Sequence, residues 1–263
     1  MVSPAVLVAA DIAGLSEIYK VGGAQAIAAM AYGTNSITKV KKIVGPGNVY
    51  VTTAKQLVTS EVAIDCPAGP SEVAILSDSA GNAKLIAADL LAQAEHDPRA
   101  LIVFVTTSRE LCRKVSEEIE TQIASLRRAT IIRSSLSCNG VAVLVRSLGE
   151  AVELVNELAP EHVQIMTRRP RDILPKIENA GAIFVGEYSP VALGDYSAGI
   201  NHVLPTGGFA RAYSGLGTTD FLRRISYLEC SKKGLRLLAE HTVTLALTEG
   251  LDGHAKSVAI RSA

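Results

Sequence analysis

The chain contains no tryptophan, and its aromatic residues number only four Phe and seven Tyr in 263 positions. Platforms that stack nucleic-acid bases are built from such side chains, so one is poorly supplied here. Charge of either sign is not in excess: 26 Lys and Arg balance 26 Asp and Glu. That balance excludes the broad basic face of a nucleic-acid binder and gives no general attraction to an anionic membrane, so neither is an expected partner. No apolar run approaches the roughly 20 residues of a spanning helix, and the first five residues lack the basic stretch of a secretory signal. Cysteine is scarce too. Cys66, Cys112, Cys138 and Cys230 lie far apart with no CxxC pair, which points to reduced thiols of a cytoplasmic protein and away from a disulfide frame or structural zinc site. What is there is 48% apolar and 20% charged residues, the balance of a globular chain long enough for a sizeable core.

Short β-branched runs alternate with amphipathic stretches. Residues 17–21, 42–44, 62–65, 73–76, 101–105, 141–145, 163–166 and 182–185 read as strands. Residues 4–14, 24–32, 83–94, 109–126 and 148–158 carry apolar positions at helical spacing. Strand, helix and strand repeated in this way predict an α/β fold with mainly parallel sheets covered by helices. After about residue 216 the pattern changes to helices alone, over 218–225, 231–246 and a short last one beyond residues 250–253. The opening helix precedes the first strand with no strand before it, as if a first half-unit were missing.

Three glycine-bearing segments follow predicted strands. Gly22-Gly23-Ala24-Gln25 and Gly45-Pro46-Gly47-Asn48 each open a helix, where Gln25 and Asn48 could offer amides to a ribose or nicotinamide at the mouth of a crevice. Neither matches GxGxxG, and tight turns needing positive φ explain most of these glycines equally well. The third segment, residues 67–72, is stiff and ends on the polar pair Ser71-Glu72; Ser71 could line a pocket or cap an element.

The five histidines divide by company. Gln93 and His96 stand three apart at the end of a predicted helix, so their side chains can converge. An amide and an imidazole are two of the four ligands zinc prefers, while a histidine at a helix C-terminus also suits the helix dipole. Glu161 and His162 follow Ala159-Pro160 at a sharp helix-to-strand junction and pair a carboxylate with the residue best suited to proton transfer near neutral pH. Asp195 and His202 lie in a polar, glycine-bearing loop after the last strand, and Glu249 and His254 lie in the helical tail. His241 reads as a solvated face. Together Gln93, His96, Asp195 and His254 form an O/N/O/N set that zinc accepts, leaving Glu161 and His162 for acid–base work. No HExxH helix of a zinc hydrolase is present.

The runs VGGAQAIAA, GPGN, DCPAGPSE, LAQAEH, APEH, GDYSAG, NHVLPT and EGLDGH occur in that order across nearly the whole chain. They resemble the histidinol dehydrogenase family. The resemblance implies an incomplete pair of Rossmann-like parallel-sheet domains with a C-terminal helical tail. The expected divisions are residues 1–71 (nucleotide-type part), 72–215 (zinc and substrate domain, first half missing) and 216–263 (helical dimerisation tail). It implies a zinc-dependent oxidoreductase of histidine biosynthesis that takes L-histidinol through histidinal to L-histidine with two NAD. It places zinc on Gln93, His96, Asp195 and His254, and acid–base catalysis on Glu161 and His162. Substrate contacts fall on Ser71, His202 and Glu249 as well as on His162 and the zinc ligands, and NAD contacts on Gln25 and Asn48. It further implies a homodimer in which His254 crosses to the partner subunit. Members of that family are longer, so the chain matches one truncated at its front, and strands following Glu72 are expected to have unpaired edges and exposed apolar faces. A non-catalytic zinc- or imidazole-binding remnant, or half of a split enzyme, is the alternative.

Overall fold

The computed structural model describes residues 2–67 and 69–262. They form two compact units, one reaching to Phe221 and the other beginning at Leu222. The front of the first unit holds α1 (Pro4–Ile12), α2 (Gly23–Tyr32), β1 (Lys42–Ile43), α3 (Val49–Leu57) and β2 (Ala63–Ile64). Pro4 sits in the first turn of α1, where its missing N–H costs nothing, yet that helix buries none of its residues. β1 and β2 pair in parallel over a small core of Ile27, Ala31, Ile43, Val58 and Val62.

Residues 17–21 do not form the expected strand. A strand needs a hydrogen-bonded neighbour, and none of the described residues pairs with this segment.

The rest of the first unit runs β3 (Glu72–Ser77), α4 (Ala83–Ala94), β4 (Leu101–Thr106), α5 (Arg109–Ile123), α6 (Ala129–Asn139) and β5 (Gly140–Leu144). It continues with α7 (Leu148–Leu158), β6 (His162–Met166), α8 (Pro170–Ile173), β7 (Ala182–Val185) and α9 (Val191–Tyr196). The five strands make one parallel sheet in the order β5-β4-β3-β6-β7. Alternate side chains go to opposite faces: Val73, Ile75, Ile102 and Phe104 pack on one, Ala74, Leu76, Val103 and Val105 on the other. Both faces are covered by helices, which is why β3 and β4 are apolar almost without interruption. Asn82, Ser108 and Ser147 cap α4, α5 and α7 with their side-chain oxygens.

The strands after Glu72 show the expected unpaired edge and exposed apolar residues at β5, where Val141 and Leu144 face solvent, while β3 is the centre of the sheet and is paired on both sides. Two details depart from the sequence pattern. α6 was not foreseen, because its serines and β-branched residues are indifferent helix formers. Tertiary contacts hold it instead: Ile132 is fully buried, and the Ser135 hydroxyl donates to the carbonyl of Ala100 at 3.1 Å. Residues 218–225 form only a 3₁₀ turn over Thr218–Phe221.

The second unit is a helical hairpin of α10 (Lys232–Thr248) and α11 (Asp252–Ser262), turned by Gly250 at φ 72°. Ala239, Ala246 and Ala255 are buried, whereas Leu237, Leu238, Leu245 and Leu247 are exposed. No described helix is long and apolar enough to cross a membrane.

Candidate active site

A parallel sheet sends each covering helix back against the direction of its strands, so the C-terminal end of α4 returns to the amino edge of the sheet. There it meets the residues that start β3 and β6. The result is a cavity of about 190 Å³ lined by Ser71, Gln93, His96, Glu161, His162, Asp195 and His202. Seven of the residues singled out from the sequence, spread over more than half the chain, thus face one space. Pro46 from the loop after β1 and Thr206 from the segment after α9 complete its wall. The site lies at the amino edge of the large sheet, not at the carboxyl ends of its strands where ligands of open α/β sheets usually bind.

Glu161 and His162 are delivered by an abrupt change of direction. α7 ends on Ala159 in the left-handed region at φ 49°, and Pro160 cannot continue a helix. That conformation costs a residue with a Cβ about 1 kcal/mol or more, and here it places Glu161 just before β6 and His162 at its first position. His162 is buried, and its Nδ1 lies 3.0 Å from the carbonyl oxygen of Glu72. A carbonyl only accepts, so Nδ1 carries the proton and Nε2 keeps its lone pair. Burial lowers the imidazole pKa, so the neutral form is favoured. The ring stands 5.9 Å from that of Phe184, centroid to centroid.

The Glu161 carboxylate accepts from the main-chain N–H of Glu72 at 2.9 Å. Burial, joined by the negative charges of Glu72 and Asp195, nevertheless pushes its pKa up to about 8. Glu161 Oε2 is 3.5 Å from His162 Nδ1, beyond a good hydrogen bond. No good hydrogen bond therefore links the two side chains directly.

Gln93 is almost fully buried, and its Nε2 has no hydrogen-bond partner. That NH₂ group needs an acceptor and cannot itself bind a metal ion, so the ligating atom of Gln93 would be its Oε1. With the His96 imidazole and the Asp195 carboxylate it supplies an O/N/O donor set suited to zinc, short of one ligand. Among the described residues no cluster of three or more His, Cys, Asp or Glu is close enough to hold a metal ion. The fourth expected ligand, His254, is exposed on α11 in the second unit, and Glu249 is exposed at the end of α10.

The expected NAD contacts fit less well. Asn48 lines a second cleft with Pro46, Gly69, Ser71 and His96, but its Oδ1 is occupied in capping α3, accepting from Tyr50 and Val51 N–H. Gln25 is exposed on α2, with its Oε1 standing 2.7 Å from where a Cβ on Gly23 would be. Asn48 therefore retains only its Nδ2 donors for a ligand.

Sequence reasoning passed over Glu72 and Thr206. Glu72 is buried; its Oε1 accepts from Gly207 N–H at 2.8 Å and its Oε2 from Glu161 N–H at 3.2 Å. Thr206 Oγ1 accepts from Gly69 N–H. The available signal for Glu72 was a carboxylate opening an otherwise apolar strand, EVAILS.

The family model described as "Histidinol dehydrogenase" matches residues 1–262. The chain is 52% identical over 260 residues to a histidinol dehydrogenase of Bacillus cereus, covering 99% of this chain and 61% of that protein. It is 56% identical over 256 residues to one from Methanothermobacter thermautotrophicus, covering 97% and 60% respectively. The crystal structure of histidinol dehydrogenase from Elizabethkingia anophelis superimposes with a TM-score of 0.95 at 39% identity, over 98% of this chain and 60% of that one. The chain thus spans about three-fifths of the length of these curated relatives. By the family match along its length and by identities above half, this chain belongs to the histidinol dehydrogenase family.

Proposed function

We propose that this chain carries the substrate-converting centre of an NAD-linked, zinc-dependent oxidoreductase that takes L-histidinol through histidinal to L-histidine in histidine biosynthesis. One observation carries the reading. Glu161 and His162 share a cavity with Gln93, His96 and Asp195, and the hydrogen bond of His162 to Glu72 leaves Nε2 as its proton acceptor.

Bound zinc would supply a fixed positive anchor for the substrate's imidazole and amine, and NAD the acceptor of two hydrides. His162 takes the alcohol proton at Nε2 as the first hydride leaves, giving the aldehyde. Glu161, once ionised, takes one proton from a water molecule whose oxygen bonds to the aldehyde carbon, and His162 returns its proton to the aldehyde oxygen; the resulting diol gives up the second hydride as His162 takes a hydroxyl proton, leaving the acid. Ser71 and His202 orient the substrate from the cavity wall. The buried position of Glu161 and His162 keeps bulk water from competing for either proton. The relatives the chain matches are histidinol dehydrogenases, which favours this reading over a remnant that only binds zinc.

Gln93, His96 and Asp195 are proposed as zinc ligands with His254, the last donated by a partner subunit of a homodimer, where Glu249 also contacts substrate. Asn48 and Gln25 are proposed as NAD contacts, and no step rests on them. The proposed divisions remain 1–71, 72–215 and 216–263; separate sheets on either side of the first boundary support it. A cytoplasmic location accompanies the biosynthetic role.

The test is NADH formation at 340 nm from L-histidinol and NAD with zinc present. The expected rate vanishes with chelator and in His162→Asn, while that variant still binds zinc. A chelator-insensitive rate, or loss of zinc in His162→Asn, would overturn the division of roles.

A further inference from the structure

Glu72 touches both members of the proton-transferring pair and makes four hydrogen bonds at the head of the central strand. Its main-chain N–H donates to Glu161 Oε2 at 2.9 Å, and its Oε2 accepts the main-chain N–H of Glu161 at 3.2 Å. Its carbonyl accepts from His162 Nδ1 at 3.0 Å, and its Oε1 accepts the Gly207 N–H at 2.8 Å. The first two bonds are reciprocal, each residue offering its N–H to the other's carboxylate. They lie one step beyond the point where the β3–β6 ladder ends, with Val73 opposite His162. Side chains there continue the connection between strands that main-chain bonds make elsewhere. The Gly207 bond ties the same carboxylate to the residue that follows Thr206, which lines the cavity.

Two buried carboxyl groups so close together are an expensive arrangement for a fold to maintain. An apolar residue at the first position of β3 would suit the core that follows. Two of the four bonds account for the carboxylate: it takes up the main-chain N–H groups of Glu161 and Gly207, which would otherwise be orphaned, and so fixes the main chain that carries the Glu161 side chain and the His162 ring.

We infer that the Glu72 side chain is a positioning group of the catalytic centre, one that fixes the main chain at Glu161 and Gly207, and with it the placement of Glu161 and His162, without itself touching substrate; this rests on the reading of those two as the proton-transferring pair. Glutamine at 72 keeps the shape but turns one acceptor oxygen into an NH₂ group that faces an N–H donor. Aspartate keeps both acceptors on a shorter stem. Alanine removes both.

The experiment compares wild type, E72Q, E72D and E72A in the zinc-loaded protein, with rates expressed per bound zinc. A misplacement of about 1 Å in a catalytic group costs about 100-fold in rate. In E72Q and E72A, kcat should fall by about that factor while KM for L-histidinol stays within about three-fold. E72D should recover part of the loss. Amide hydrogen exchange gives a second reading that does not depend on turnover: the Glu161 and Gly207 N–H groups should exchange faster in E72Q and E72A than in wild type. Unchanged kcat per zinc together with unchanged exchange at Glu161 and Gly207 in E72Q and E72A would overturn the inference. So would a rise in KM at constant kcat. If E72A does not fold, E72Q, nearly the same size as the native side chain, decides. If wild type itself forms no NADH, the proposed activity fails, and the exchange comparison alone then judges the role of Glu72.

Discussion

Lys55 Nζ and Asp65 Oδ1 form an ion pair in which the two side chains are only 5% and 1% exposed. The pair grips one residue between them: Lys55 Nζ donates to the Gly45 carbonyl at 2.9 Å, and Asp65 Oδ2 accepts the Gly45 N–H at 2.7 Å. Gly45 is at φ 122°, a conformation that only glycine adopts freely, and the next residue, Pro46, lines the cavity. A buried ion pair thus fixes a loop of the candidate site.

Removing one partner leaves the other charge buried and unpaired, which typically costs about 3–5 kcal/mol. Lys55→Met should therefore lower the urea midpoint far more than Lys39→Met, whose partner Glu61 is exposed. Equal midpoints for the two variants would show that Asp65 finds other stabilisation.

Glu161 makes stability depend on pH in a stated direction. Its carboxyl, raised by burial to about 8 from an ordinary 4.5, holds a proton in the folded state that the unfolded chain has already lost. The contribution is fully present below about 4.5 and is lost as pH rises towards 8, with a slope of up to about 1.4 kcal/mol per pH unit. Glu161→Gln cannot titrate. In metal-free protein the difference in unfolding free energy between this variant and wild type should widen, in the variant's favour, from pH 5 to pH 8. A constant difference across that range would place the proton elsewhere.

Gly181 is close to the backbone of Glu161. A Cβ added there would stand 2.6 Å from the Glu161 carbonyl oxygen, a main-chain atom that cannot swing aside. Gly181→Ala should cost about 1–3 kcal/mol in stability, the usual penalty of overpacking. It should also lower kcat per folded molecule, because the shift is transmitted to Glu161. Chemical denaturation and steady-state kinetics read the two effects separately.

If His254 completes the partner's site, His254→Asn and His162→Asn chains are each inactive alone but complement each other. A mixed dimer has one site with both lesions and one with neither. Random pairing of equal amounts should restore about a quarter of the wild-type rate. No recovery on mixing would argue against a ligand donated across the interface.

Much of the arrangement was legible along the chain because its causes are local. Period-two and period-3.6 apolar patterns marked seven of the eight expected strands and the main helices, and Pro160 marked the turn that delivers Glu161. The failures had causes at a distance. Residues 17–21 have the composition of a strand but no neighbour among the described residues to pair with, and α6 is held by burial of Ile132 and Ser135 against weak propensity. Glu72 stood beside Ser71 and passed unremarked, because its importance lies in what it touches some ninety positions away.

Residue types and short motifs were enough to mark one family: an amide, imidazoles and carboxylates near helix ends and strand starts, in a set order. Local sequence could not specify that these groups meet at the amino edge of a five-stranded sheet, or which nitrogen of His162 holds the proton. Nor could it reveal that Glu161 is buried deeply enough to resist ionisation. Those properties depend on strand order, on the return of α4 across the sheet and on the dielectric of a closed cavity. All three arise from packing between segments that are far apart in the chain.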